Sequence, residues 1–224
     1  MIKAVLFDLD GTLLNREASL AYFVEQQYER LGSFLGQVSK QTYIKQFIEL
    51  DAQGHVWKDK VYQQIVSEFE VTGISWEALL GDYVSYFHQY CIGFPGLEQM
   101  LQTLIAQKRL LGVITNGRSP FQMYNIEALG IKSYFSIILI SDVEGIRKPN
   151  FEIFQRAVNR LGITADEAVF VGDNPTVDIE AAQKSGMRAV WKKSHYWGHC
   201  ASADAVCEKL EQIPSIVQDL ELHL

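Results

Sequence analysis

The sequence predicts an α/β protein whose core is a doubly wound, Rossmann-like parallel sheet with an inserted all-helical domain. Three observations predict it. Short apolar runs stopped by turn formers recur along the 224 residues. Helical periodicity fills the intervals between them, and one interval is far too long to be a simple connection.

The first run, AVLF at 4–7, ends abruptly at Asp8-Leu9-Asp10-Gly11-Thr12. That is the pattern of a strand buried on both faces. Four further runs follow at 110–115, 137–140, 168–171 and 189–191. Between them, Leu97, Met100, Leu101, Leu104 and Ile105 recur at helical spacing, as do Ile153, Phe154, Ala157, Val158 and Leu161. Ser119-Pro120 and Asn174-Pro175 have the form of an N-cap followed by a first-turn proline, and Gly130, Gly162 and Gly186 stand where helices should stop. Residues 203–222 read as a helix followed by a short closing segment. The alternating part therefore comprises 1–14 and 92–224.

Residues 15–91 break the rhythm. A strand-to-helix connection takes roughly 2–6 residues, and this one has about 77 and no strand run. It carries four apolar stripes at steps of three or four: Leu20 to Leu31, Tyr43 to Ile48, Trp57 to Phe69 and Trp76 to Phe87. Each predicts an amphipathic helix, and together a small bundle whose Trp and Tyr residues form its core.

Composition narrows the classes. Hydrophobic residues at 48% and charged residues at 21% exclude disorder as the main state. A net charge of −7 argues against a nucleic-acid partner, which would need a basic stripe. Cys91, Cys200 and Cys207 lack C-x-x-C spacing, which fits a reducing compartment. His195, His199 and Cys200 have no second cluster to complete a zinc site. The N-terminus reads as a strand, and no run nears the roughly 18 apolar residues of a membrane span. The expectation is a soluble, cytoplasmic protein without membrane or nucleic-acid partners; monomer and homodimer both stay open.

Ligands of open parallel sheets bind beyond the carboxyl ends of the strands. Asp8 and Asp10 lie there, and being two apart they share a face if the strand continues through Asp10. Adjacent carboxylates repel, so a cation or a shared proton must offset them. The turn at Gly11-Thr12 offers backbone N–H groups for an anion. The second strand ends in Thr115-Asn116-Gly117, Arg147-Lys148-Pro149 follows the third, and the fourth ends in Gly172-Asp173-Asn174-Pro175 with Asp178 five residues beyond Asp173. Each group alone has a structural explanation as a turn, a cap or a solvated charge. Four at consecutive strand ends point to a site.

FDLDGT at 7–12, VITN at 113–116, KP at 148–149 and GDNPTVD at 172–178 resemble the four motifs of the haloacid dehalogenase superfamily, in order and across the whole core. The insert resembles that family's helical cap. The resemblance implies a phosphatase acting on a small organic phosphate monoester through an aspartyl-phosphate, with Mg²⁺ as cofactor. It implies Asp8 as nucleophile and Asp10 as general acid/base. Thr115 and Asn116, with Gly11 and Thr12, would hold the phosphoryl oxygens, and Lys148 would neutralise charge. The metal would be held by Asp8, the Asp10 carbonyl and Asp173, with Asp178 as a ligand or a partner just outside. A phosphomutase shares every core motif and remains the alternative. A haloacid dehalogenase fits less well because Asp10 is present. A phospho-acceptor signalling domain fits less well because such domains are about half as long and carry no insert. The insert is expected to act as a lid that selects substrate.

Overall fold

The structure is a computed structural model describing residues 1–200 and 202–222. In chain order its elements begin with β1 (Ala4–Phe7), α1 (Arg16–Arg30), α2 (Gly32–Leu35), α3 (Lys40–Asp51), α4 (Lys58–Glu68) and α5 (Trp76–Tyr86). Then come α6 (Leu97–Ala106), β2 (Leu110–Thr115), α7 (Phe121–Ala128), β3 (Ile137–Ile140), α8 (Ser141–Glu144) and α9 (Glu152–Leu161). The chain closes with β4 (Ala168–Gly172), α10 (Ala181–Lys184), β5 (Arg188–Lys192), β6 (Ala205–Cys207) and α11 (Ile213–Leu222). It divides into two compact units, Met1–Asn15 with Gly93–Leu224, and Arg16–Ile92.

The first unit is a six-stranded sheet in the order β3-β2-β1-β4-β5-β6, and the pairs are parallel. Alternation along each strand feeds two cores. Leu6, Ile114, Leu139 and Phe170 pack with Phe154, Ala157 and Ala182 from α9 and α10. Phe154 and Phe170 meet edge to face at 5.0 Å, a geometry favoured by the ring quadrupoles. The α6 stripe of Met100, Leu101 and Leu104 is buried, and α6 packs on β2 and α11. β1 lies between β2 and β4, with Phe7 opposite both Val113 and Val171. The chain therefore leaves β1 between the ends of its two neighbours, and this places the site.

The five expected strands are all present, and β6 is an addition. Residues 203–222 do not begin as a helix: β6 comes first, then a 3₁₀ turn at Leu210–Gln212, then α11. The cause is tertiary. Asp204 donates its N–H to the Ala189 carbonyl at 2.9 Å and accepts the Ala189 N–H on Oδ2 at 2.8 Å, which docks the segment on β5. Of the two proline pairs, Asn174 caps as expected, accepting the Thr176 and Val177 N–H groups, with Pro175 in the first turn. Ser119 does not cap α7, which starts at Phe121 after Pro120. The helix after β4 begins as a π-helical segment, Pro175–Glu180, before α10.

The second unit is helical. Phe23, Tyr43, Phe47, Tyr62, Ile65 and Leu79 form its buried interior. Gln27 sits inside it without an idle group. Its Oε1 accepts from Tyr62 at 2.8 Å and Tyr43 at 3.2 Å, and its Nε2 donates to Asp82 at 2.9 Å and the Leu79 carbonyl at 3.1 Å. Not every aromatic of the stripes is core: Trp57 precedes α4 and is 48% exposed.

Asp51 ties the start of this unit to its middle. Arg16 grips it with two hydrogen bonds of 2.9 Å, Lys58 Nζ donates to its Oδ1, and the Gly54 N–H donates to its Oδ2. Burial pushes the Asp51 carboxyl up, but Arg16 and Lys58 outweigh it and hold the group below its ordinary value. Folding is thus favoured by the ionised form. That stability is complete above the unfolded value of about 3.9 and is lost as pH falls through the lower folded value. Asp51→Asn should cost about 3–5 kcal/mol near neutrality by stranding buried cations. Denaturant titrations should show the wild-type advantage shrinking below about pH 4; a pH-independent difference would contradict the ion-pair account.

Candidate active site

β1 ends at Phe7, and the Asp8 N–H still pairs with the Val171 carbonyl at 2.9 Å. The strand does not continue through Asp10. Leu9 accepts the N–H groups of Thr12, Leu13 and Leu14, which curls the chain away after Asp8. Asp8 and Asp10 are therefore not adjacent carboxylates on one strand face. They belong to two separate constellations.

The first is a cluster of carboxylates around one ammonium. Oxygens of Asp8, Asp173 and Asp178 all lie within 4.8 Å of one another. Lys148 Nζ donates to Asp8 Oδ1 at 2.6 Å and to Asp178 Oδ1 at 2.7 Å. Asp8, Lys148 and Asp178 are buried, at 6%, 2% and 2% exposure. Burial pushes the Asp8 carboxyl well above the ordinary range; Lys148 pulls against this, while Asp178, Asp173 and Asp10 add to it. Asp173 is likewise raised, to about 7, by burial and then by Asp178. For Lys148, burial favours the neutral form, but Asp178 and Asp8 win and hold its proton more tightly than usual.

Local structure explains how the cluster is held. The Asn116 side chain clasps the Lys148 backbone from both sides: Oδ1 accepts the Lys148 N–H at 2.9 Å and Nδ2 donates to its carbonyl at 2.9 Å. Its amide thus fixes the lysine. Asp178 accepts the Asn174 N–H on Oδ2 at 3.0 Å, so both of its oxygens are engaged. Trp191 Nε1 donates to the Asp173 carbonyl at 2.6 Å, and Trp197 hydrogen-bonds the Asp173 side chain. Two glycines make room. A Cβ on Gly11, whose φ is +83°, would stand 2.7 Å from Asp173 Oδ2, and one on Gly172 would stand 2.4 Å from Asp178 Cβ.

The second constellation surrounds Asp10. Gln122, on the first turn of α7, donates from Nε2 to Asp10 Oδ2 at 2.7 Å and to Thr115 Oγ1 at 2.7 Å. Sequence reasoning missed Gln122 because a glutamine on a helix carries no chemical mark. Its burial at 3% exposure is the signal, and only the structure supplies it.

The nine residues singled out from the sequence, Asp8, Asp10, Gly11, Thr12, Thr115, Asn116, Lys148, Asp173 and Asp178, all lie at or just beyond the carboxyl ends of β1, β2 and β4 or in the loop before α9. One expectation is not met. The Gly11 and Thr12 N–H groups are not free for an anion, since Gly11 donates to the Leu14 carbonyl at 2.9 Å and Thr12 to that of Leu9 at 3.3 Å. Thr12 instead turns its hydroxyl to Asp8 Oδ2 at 3.4 Å. The donor set of Asp8, Asp173 and Asp178 is all hard oxygen, and one contacting ammonium leaves it short of positive charge. It is the kind of cluster that a divalent cation fits.

A parallel sheet whose strand ends gather an aspartate, a threonine, a lysine and an acidic pair defines a phosphate-handling class of hydrolase fold. Residues 5–192 match the haloacid dehalogenase-like hydrolase family, and the chain belongs to it. It is 29% identical over 210 residues to a glyceraldehyde 3-phosphate phosphatase of Methanopyrus kandleri, covering 85% of this chain and 83% of that one. Among solved structures it is similar to a HAD phosphatase from Thermococcus onnurineus, with a TM-score of 0.69 at 28% identity over 96% of this chain and 98% of the other. It is also similar to a 2-haloacid dehalogenase from Pseudomonas syringae pv. Tomato, with a TM-score of 0.65 at 27% identity over 98% and 100%. No helix among the described residues is long and apolar enough to cross a membrane.

Gly172 provides a test of the cluster itself. Gly172→Ala should push Asp178 off Lys148 and destabilise the protein by about 1–3 kcal/mol, as overpacking does. Chemical denaturation measures this, and unchanged stability would mean that Asp178 is free to move.

Proposed function

We propose that this chain is a magnesium-dependent phosphatase that hydrolyses a small organic phosphate monoester through an aspartyl-phosphate on Asp8. The observation that carries the reading is that Asp8 and Asp10 have different hydrogen-bond partners. One carboxylate, Asp8, is paired with a buried lysine, and a second, Asp10, is held by Gln122. Displacing an alkoxide needs both a nucleophile and an acid; displacing a halide needs no acid. The presence of Asp10 therefore favours phosphatase over dehalogenase chemistry, although relatives of both kinds exist.

In this reading an Asp8 oxygen attacks phosphorus and the phosphorus–ester oxygen bond breaks. Asp10 gives its proton to the departing alkoxide, then takes one from the water that attacks the acyl phosphate, releasing inorganic phosphate and restoring Asp8. The Thr115 hydroxyl and the Lys148 ammonium meet the phosphoryl oxygens, and Asn116 acts through its clasp on Lys148. Asp8, Asp173 and the Asp10 carbonyl would hold Mg²⁺. When bound, the ion offsets the repulsion between an anionic carboxylate and an anionic ester. Asp178, with both oxygens engaged, anchors Lys148. The glyceraldehyde 3-phosphate phosphatase relative suggests short phosphorylated metabolites as the substrate class.

Phosphate release from small phosphate esters tests this. Activity should require Mg²⁺ and vanish in Asp8→Asn, which keeps size but removes the nucleophilic charge. Asp10→Asn should lose about 10²–10⁴-fold on an alkyl phosphate. Full turnover after exhaustive chelation, or in Asp8→Asn, would sink the proposal.

A further inference from the structure

We infer that Gln122 is a positioning residue for this chemistry, orienting the Asp10 carboxylate and the Thr115 hydroxyl with a single amide. The inference rests on the phosphatase reading above and deepens it.

An amide nitrogen has two protons. Those of Gln122 Nε2 have two close acceptors, Asp10 Oδ2 and Thr115 Oγ1, both at 2.7 Å, and the Asn116 carbonyl lies further off at 3.4 Å. In this arrangement the amide nitrogen faces Asp10 Oδ2, and the Gln122 Oε1 accepts from Asn125 Nδ2 at 3.2 Å on the far side. A flipped amide would set oxygen against oxygen at Asp10. Gln122, Asn125 and Thr115 are all buried, at 3%, 0% and 0% exposure, so water cannot readily replace these bonds.

Two consequences follow for the reaction. Asp10 is held by one oxygen, Oδ2, which leaves Oδ1 to exchange a proton with the leaving group and the attacking water. Thr115 accepts a hydrogen bond from Gln122, so its own hydroxyl proton is left to point at a phosphoryl oxygen. Gln122 touches neither substrate nor metal in this scheme and acts through its two neighbours. The fit is reserved by Gly117: a Cβ there would stand 2.6 Å from Gln122 Cγ.

The test compares kcat/KM on two probes, glycerol 2-phosphate with its poor alkoxide leaving group and p-nitrophenyl phosphate with a good one. This ratio covers steps up to departure of the leaving group, so it reads the acid and not the later hydrolysis. Gln122→Met keeps length and removes both donors. Acid catalysis contributes about 10²–10⁴-fold, and mispositioning the acid should forfeit part of it. Glycerol 2-phosphate should therefore lose at least about tenfold more than p-nitrophenyl phosphate. Gly117→Ala, which displaces Gln122 without replacing it, should show the same skew and decides the matter if Gln122→Met fails to fold. Equal losses on the two probes, or none, would overturn the inference. Absence of wild-type activity on both probes would instead overturn the phosphatase reading beneath it.

Discussion

The bridge from Lys148 to Asp8 and Asp178 is the constraint on which the rest of the site depends. Three carboxylates with oxygens within 4.8 Å of one another, Asp8 and Asp178 buried and Asp173 half-buried, repel strongly, because low surrounding polarity weakens screening. A single contacting ammonium offsets part of that repulsion and no more. The surrounding structure supplies what keeps the arrangement in place. Asn116 pins the lysine by its backbone, the Asn174 N–H takes the second Asp178 oxygen, and two tryptophans hold Asp173. The glycines at 11 and 172 are part of the same solution, since a side chain at either would strike a carboxylate.

A residual excess of negative charge then remains at the strand ends. Asp8 and Asp173 hold protons more readily than usual, first because they are removed from water and then because Asp178 faces them. Asp10 pairs with Gln122 after the chain curls at Leu9, while Asp8 pairs with Lys148, so the two carboxylates have different partners. Parallel topology makes this possible. With β1 between β2 and β4, the end of β2 at Thr115 and the residue after β4, Asp173, flank Asp8 on either side.

The strands of the core were legible because a strand buried on both faces must be a short apolar run, whatever its partners. The pattern of β6 was not, since three residues with Val206 half exposed show no period, and what makes them a strand is Asp204 pairing with Ala189. In the site, the four motifs could be read because each gathers its reactive groups within a few residues. Contacts across long separations could not. Gln122 reaches Asp10 over 112 positions, and Trp191 reaches Asp173 over 18. Nor could the sequence reveal that the Gly11 and Thr12 N–H groups are taken up within their own turn. Local chemistry was written plainly, and the groups that orient it were not.

The central claim is that the carboxylate cluster is a cation site in which Asp173 is a ligand and Asp178 anchors Lys148. Calorimetric titration with Mg²⁺ of the wild type, Asp173→Ala and Asp178→Ala tests it without reference to turnover. Partners outside the metal's own ligands typically alter affinity roughly 10–100-fold, so Asp178→Ala should fall within that range and Asp173→Ala should lose more. Equal affinities in Asp173→Ala and the wild type would contradict the account.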